Sequence, residues 1–197
     1  ALLFAELCEE IGLPKGVFNL VTGDGTTGSE LVNHEGISKI AFTGSTSVGK
    51  YIQNAVGERD IGLTLELGGK AANIVYNDAA LDQAVEGVVN GIFFNQGHVC
   101  CAGSRLLLQE DIHDEFINKL EKRMQTLRVG NPLDKNTDIG AINSKEQLEK
   151  ITSLVNEGVN DGGELFQIEC DLPSSGYWFR PSSVSYTHLR AHETQRY

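Results

Sequence analysis

Short β-like runs that end in glycine turns, each turn opening a helix, recur through the first third of this chain. Residues 17–21 (Val-Phe-Asn-Leu-Val) lead into Thr22-Gly23-Asp24-Gly25-Thr26-Thr27-Gly28 and a helix over 29–33. Residues 37–42 form a second run, and Thr43-Gly44-Ser45-Thr46 opens a helix to about Val56. A third run covers 63–65. A strand followed by a helix and another strand is the signature of parallel βαβ units, so the chain is expected to be α/β.

The same grammar continues beyond Lys70, with one difference. A strand over 72–76 precedes a helix over about 81–95, which runs straight into a segment with two adjacent cysteines. Then come a strand over 105–109 and a helix within 111–127, where Ile112, Phe116, Leu120 and Met124 share a face. Gly130-Asn131-Pro132 breaks it, a helix over 144–159 starts with Ser144 and Gln147 in capping-box spacing, and 165–168 returns as a strand. The change of role at Gly68-Gly69 places a domain boundary there: 1–68 for a ligand-binding part, 69–184 for the thiol-bearing part.

Charge narrows the function classes. The 197 residues carry a net charge of −11, which disfavours nucleic acid and anionic membrane surfaces as partners. No apolar run is long enough to span a bilayer. Cys8, Cys100, Cys101 and Cys170 lack the spacing of a zinc site, so no metal is expected and reduced thiols in a cytoplasm-like compartment are the economical reading. The chain begins at Ala1 inside a helical pattern and reads as a piece of a longer protein. Residues 185–197 form a basic, polar tail on an acidic chain and are set aside as foreign to the fold, a genuine C-terminal extension being the alternative.

Two glycine loops nearly match known ligand cradles. Gly23-Asp24-Gly25-Thr26-Thr27-Gly28 fits the dinucleotide fingerprint but lacks the acidic residue expected about 20 positions on, so an ordinary glycine turn competes evenly with a cofactor contact. Gly44-Ser45-Thr46-Ser47-Val48-Gly49-Lys50-Tyr51 resembles a P-loop, with Tyr51 where a magnesium-binding hydroxyl belongs. A helix opening at Ser45 still suits a phosphate-bearing ligand, and Tyr51 argues against a phosphotransferase. A simple Ser-capped helix start is the plainer alternative.

Asn95-Gln96-Gly97-His98-Val99-Cys100-Cys101-Ala102-Gly103-Ser104-Arg105 places thiols in a glycine-flanked turn after a helix. Such a turn can expose a nucleophile and leave backbone N–H groups for an oxyanion; alternatively the cysteines are small buried hydrophobes. Glu66, between Leu65 and Leu67, reads as a semi-buried carboxylate whose proton affinity burial could raise toward that of a base, or else as a solvated one.

Together, Phe42-Thr43-Gly44-Ser45-Thr46-Ser47-Val48-Gly49-Lys50, Leu65-Glu66-Leu67-Gly68-Gly69-Lys70 and the cysteine segment resemble the NAD(P)-dependent aldehyde dehydrogenase superfamily. Gly130-Asn131-Pro132-Leu133 and Gly176-Tyr177-Trp178-Phe179-Arg180-Pro181 add to it, and the resemblance extends to Val184. It implies part of a Rossmann-like cofactor domain followed by part of an α/β catalytic domain. Cys100, not Cys101, stands at the nucleophile position and Glu66 at that of the general base. His98 departs mildly from the family pattern, where glutamine or glutamate is commoner.

For the cofactor, NAD with NADP left open, the resemblance implies contacts from Gly44, Ser45 and Val48 at a helix opening and from Gly25 and Thr26 near the adenosine end. Gln147 and Lys150 match a ribose-facing helix, and Leu67 and Gly68 approach the nicotinamide side. The implied chemistry is attack of the Cys100 thiolate on an aldehyde, oxidation of the thiohemiacetal to a thioester, and hydrolysis by water activated by Glu66. The implied parent is a cytoplasmic or organelle-matrix homodimer or homotetramer acting on a small aldehyde. Its oxyanion asparagine and parts of its cofactor clamp lie outside this piece, so the piece alone is expected to be inactive. The competing reading is a non-catalytic nucleotide-binding module or a degenerate family member.

Overall fold

The computed structural model describes residues 1–185. They divide into two compact units, Ala1–Leu67 and the residues from Gly68 onward. The expected foreign tail lies outside the described residues except for Ser185. The Ser185 N–H donates to the Glu164 carbonyl at 2.9 Å, and its hydroxyl accepts from the Glu164 N–H at 3.1 Å.

In the first unit, β1 (Lys39–Gly44) and β2 (Gly62–Leu67) pair in parallel, with Thr43 opposite Glu66 and Gly44 opposite Leu67. Helix α3 (Thr46–Val56) makes the crossover between them, as the alternation predicts. Its buried face, Gly49, Ile52 and Val56, packs with Val32 of α2 (Gly25–Asn33) and with Ile40, Phe42, Leu63 and Leu65 of the strands. Gly49 is buried because the helix runs close over β2: a Cβ there would come within 2.5 Å of the Leu67 side chain. Arg59 fixes the other end, donating to the carbonyls of Val32 at 2.6 Å, His34 at 2.8 Å and Ile37 at 3.2 Å. One guanidinium thus holds a carbonyl of the last turn of α2, that of its C-cap and one in the loop beyond.

Two expectations fail here. Residues 17–21 are not a strand. Gly16 turns the chain with φ 86°, Asn19 folds back to donate to the Gly16 carbonyl at 2.9 Å, and Phe18 packs edge-on against Phe4 of α1 (Leu2–Glu10) with ring centroids 5.3 Å apart. Helix α2 starts at Gly25, four residues before the expected Ser29, because Asp24 caps it.

In the second unit, β3 (Ala72–Val75) and β4 (Arg105–Leu108) are again parallel, joined through α4 (Leu81–Phe93). Helix α5 (His113–Met124) lies against α4. Val85, Val88 and Val89 face Phe116, Leu120 and Met124, and Phe116 is wholly buried. Burial of a side chain of that size contributes about 1.5–3 kcal/mol. Above this seam, Lys119 donates to Asp82 at 2.7 Å and Arg123 to Glu86 at 2.6 Å. The four residues recur at i, i+4 on each helix, so both pairs sit on facing stripes. The Asp82 carboxylate holds the Lys119 ammonium above its ordinary value. Helix α6 (Lys145–Asn160) starts where the capping box predicts, with the Ser144 hydroxyl accepting from the Gln147 N–H at 3.1 Å. Strands β5 (Leu165–Gln167) and β6 (Ser182–Val184) form an antiparallel pair. No helix among the described residues is long and apolar enough to cross a membrane.

Candidate active site and cofactor cleft

The helix that delivers the thiol stops short of the expected Asn95. After Phe93 the chain enters a distorted turn, Phe94–Gly97, in which Asn95 (φ 49°), Gln96 (φ 55°) and Gly97 (φ 75°) are all left-handed. Two successive non-glycine residues in this region are costly and persist only when their surroundings hold them. The holding contact is Gln96: with its amide turned so that both ends are satisfied, the side-chain oxygen accepts from the Gly140 N–H at 2.8 Å and the NH2 donates to the Asn95 carbonyl at 2.8 Å. A Cβ on Gly140 would strike the end of the Gln96 side chain, so the contact as it stands favours glycine there.

Beyond this reversal, Val99 to Ala102 form a turn closed by the Ala102 N–H on the Val99 carbonyl at 3.0 Å. Cys100 and Cys101 sit at its outer positions, both exposed and both free thiols, so neither is a small buried hydrophobe. Among the described residues the N–H of Cys100 takes part in no hydrogen bond. Both flanks of the turn are fastened. The Gly103 N–H donates to Gly91 of α4 at 2.9 Å, its carbonyl accepts from the Asn73 amide at 3.0 Å, and Arg105 Nε donates to the Lys70 carbonyl at 3.0 Å. A Cβ on Gly69 would sit 3.1 Å from the Cys100 carbonyl oxygen. A fixed, solvent-facing thiol beside an uncommitted N–H has the parts for nucleophilic attack and oxyanion binding. His98, two residues earlier, has its Nε2 buried with no partner among the described residues.

Glu66 belongs to the first unit and Cys100 to the second. The expectation of a semi-buried carboxylate is corrected by strand geometry: Leu63, Leu65 and Leu67 alternate inward along β2 and Glu66 points to the exposed face. It reads as a solvent-accessible carboxylate on a stiff strand.

The residues expected at the cofactor divide between the units. In the first, a cleft of about 780 Å³ is bounded by α2, β1 and α3, and Gly25, Gly28, Ser29, Val48 and Tyr51 are among its lining residues. The sequence reading missed Ser29 and undervalued Tyr51. The Tyr51 hydroxyl lies 2.6 Å from the Ser29 hydroxyl and accepts from the Asn33 amide at 3.1 Å. Ser29 first, then Asn33, hold the Tyr51 phenol below its ordinary value. Both residues sit on helices only 22 positions apart in sequence, a proximity that only the α2–α3 packing creates.

Ser45 is the N-cap of α3; its hydroxyl accepts from the Val48 N–H at 3.3 Å, and no side chain among the described residues caps the N–H of Thr46 or Ser47. Gly44 ends β1, where a Cβ would strike the Phe42 ring. The opening of α2 is different. The Asp24 carboxylate accepts from the Thr26 N–H at 2.9 Å, and that bond, with the Thr26 hydroxyl, holds Asp24 below its ordinary value. An anion already caps this helix, so the Gly23–Gly28 loop is unsuited to a pyrophosphate despite its fingerprint. Leu67 turns its side chain toward Gly49 of α3, and Gly68 is exposed with open space around its Cα. In the second unit, Gln147 is half-buried in the first turn of α6 and Lys150 is exposed one turn on. No group of three or more metal-ligating side chains comes together among the described residues.

This arrangement can be compared with known proteins. A sequence model described as the aldehyde dehydrogenase family matches residues 1–189. The protein named "Putative aldehyde dehydrogenase DhaS" of Bacillus subtilis (strain 168) is 42% identical over 183 residues, which are 92% of this chain and 37% of that protein. Among solved structures, the NAD-dependent aldehyde dehydrogenase of Sinorhizobium meliloti is 37% identical with a TM-score of 0.87, covering 92% of this chain and 37% of that one. The NAD⁺ complex of an aldehyde dehydrogenase from Bacillus cereus is 38% identical with a TM-score of 0.86, over 92% of this chain and 37% of that one.

The chain belongs to the aldehyde dehydrogenase family, and its fold is the α/β fold of those enzymes. It spans less than two-fifths of the length of DhaS.

Proposed function

We propose that the protein to which this chain belongs oxidises a small aldehyde to a carboxylic acid with NAD as the cofactor, NADP being the alternative. The observation that carries the reading is the exposed Cys100 thiol, fixed in a turn whose own N–H is uncommitted. Cys100 Sγ adds to the aldehyde carbon, and its N–H donates to the oxyanion that forms. Once the acyl carbon is held as a thioester, Glu66 takes a proton from water and the resulting hydroxide releases the acid.

NAD, when bound, supplies the two-electron acceptor that aldehyde oxidation requires. The residues fit such a group. The cleft lined by Gly25 and Val48 has the volume and apolar walls for a base, and the start of α3 at Gly44 and Ser45 suits a phosphate. Thr26, Leu67, Gly68, Gln147 and Lys150 complete the proposed contacts. Residues 1–68 form the end of the cofactor domain and 69–184 part of the catalytic domain. The parent is a cytoplasmic homodimer or homotetramer, a location that the four free cysteines suit.

The test is a matched set of parent proteins with NAD and acetaldehyde. Cys100→Ala abolishes NADH formation. Glu66→Gln gives one rapid turnover and then stalls with an acyl group on Cys100, detectable by mass spectrometry. An active Cys100→Ala variant overturns the proposal. The 197-residue chain alone forms no NADH under the same conditions.

A further inference from the structure

Cys100 and Cys101 occupy the two central positions of the turn that the Ala102 N–H closes on the Val99 carbonyl at 3.0 Å. Both are exposed free thiols, whereas Cys8 and Cys170 are half-buried. Cys170 packs against the larger hydrophobic cluster; Cys101 joins neither cluster. An oxidant arriving from solvent therefore meets the adjacent pair first. The turn is also held at both ends: the His98 N–H donates to the Asn95 carbonyl at 2.9 Å and the Ser104 N–H to the Ala102 carbonyl at 2.8 Å. Neighbouring Cα atoms lie about 3.8 Å apart across a trans peptide, closer than in an ordinary disulfide. A bond between these two sulfurs closes a small ring through one peptide unit, so it is strained and easily reduced. It closes the shortest loop a chain allows and adds little to the stability of the fold. Those are the properties of a bond made to open again.

We infer that Cys100 and Cys101 form a reversible oxidation site for hydroperoxides, in which Cys101 captures oxidised Cys100 as a disulfide between neighbours. The inference rests on Cys100 being the reactive thiol, as in the function proposed above, and adds its partner and a second class of substrate. The Cys100 thiolate attacks one peroxide oxygen and the O–O bond breaks. Cys100 becomes a sulfenic acid, and the other oxygen takes the proton that the thiol lost and leaves as alcohol or water. The Cys101 sulfur then attacks the sulfenic sulfur, an S–S bond forms, and the hydroxyl departs as water with the Cys101 proton. The peroxide gains two electrons and the thiol pair loses two. Once bridged, Cys100 cannot add to an aldehyde. A monothiol such as glutathione reopens the bond by exchange, so the site escapes the irreversible sulfinic acid.

Tryptic cleavage after Lys70 and Arg105 releases residues 71–105, which contain these two cysteines and no other. The chain is treated with excess hydrogen peroxide, alkylated with iodoacetamide, digested and weighed by mass spectrometry. The peptide should appear lighter by two hydrogens and unalkylated, and should return to the doubly alkylated form after glutathione. With Cys101→Ser, the same treatment should leave Cys100 as a sulfinic acid that glutathione does not restore. If Cys100 of the unaltered chain gains oxygen while Cys101 stays alkylatable, the inference is overturned and the proposed function stands. A peptide joined to a second copy, to Cys8 or to Cys170 overturns it equally. If Cys100 reacts with neither peroxide nor iodoacetamide in the folded chain, both readings fall. Should Cys101→Ser not fold, the mass of the unaltered peptide decides alone.

Discussion

The side-chain amide of Asn73, on strand β3, donates to the carbonyl of Gly103 across 3.0 Å, and so ties the sheet to the far end of the loop that carries Cys100. Asn73→Ala removes the donor while leaving the strand intact. The expected cost is about 0.5–1.5 kcal/mol in urea denaturation. The Cys100 thiol, held less firmly, should also change its rate of alkylation by iodoacetamide relative to Cys101. An unchanged melt and an unchanged labelling ratio would show that the tie is idle.

Glycines around the loop should respond unequally to a methyl group. At Gly68 a Cβ meets nothing, at Gly69 it sits 3.1 Å from the Cys100 carbonyl oxygen, and at Gly103 it drives into the Asn73 amide. Gly68→Ala should leave the melting temperature within a degree or so, whereas Gly103→Ala should lower it by several degrees for a unit of this size. Gly69→Ala should fall between them and act mainly on thiol reactivity. Differential scanning calorimetry ranks the three; equal melting temperatures would refute the ordering.

The phenol of Tyr51 should titrate below the ordinary phenol value. Hydrogen bonds from Ser29 and Asn33 favour its phenolate and lower it from 10.0. Absorbance at the phenolate band, followed with rising pH, should show an early component that Tyr51→Phe deletes. Asn33→Ala should move that component back toward 10 without deleting it.

Asp24 makes the opening of α2 acid-sensitive. Its folded-state value lies below the ordinary 3.8, so its contribution is whole above that value and is lost as pH falls through the lower folded one. Asp24→Asn keeps a capping oxygen but removes the titration. The variant should therefore lose less stability than the unaltered chain between pH 4 and pH 2, read by circular dichroism.

Phe116 is the test of the α4–α5 seam. It is wholly buried against Val85, Val88, Val89 and their neighbours. Phe116→Ala should cost about 3–5 kcal/mol, the range for removing a buried ring from a packed core. A cost below 1 kcal/mol, by urea denaturation, would mean that the seam is looser than its burial implies.

Hydrophobic spacing made the parallel units readable because a crossover helix and two strands each carry their own period. Ser144 with Gln147, and the apolar face from Phe116 to Met124, were legible for the same local reason. What failed was set by contacts distant in sequence. Residues 17–21 have strand-like composition, yet no strand pairs with them and Phe18 packs on Phe4 instead. The early end of α4 depends on Gly140, and no helical pattern over 81–95 reveals it. Glu66 was misjudged because two flanking leucines say only that alternate positions are buried, and it occupies the other phase. The Ser29–Tyr51–Asn33 cluster comes from two helices and has no signature within either.

The left-handed Asn95–Gln96–Gly97 reversal, pinned by Gln96 to the backbone of Gly140, makes the thiol loop inseparable from the segment that follows α5. Transplanting residues 91–105 into another scaffold would carry the sequence of the loop but not its shape. Change in the Cys100 turn is likewise coupled to a stretch well beyond it in sequence, so drift in one must be answered in the other.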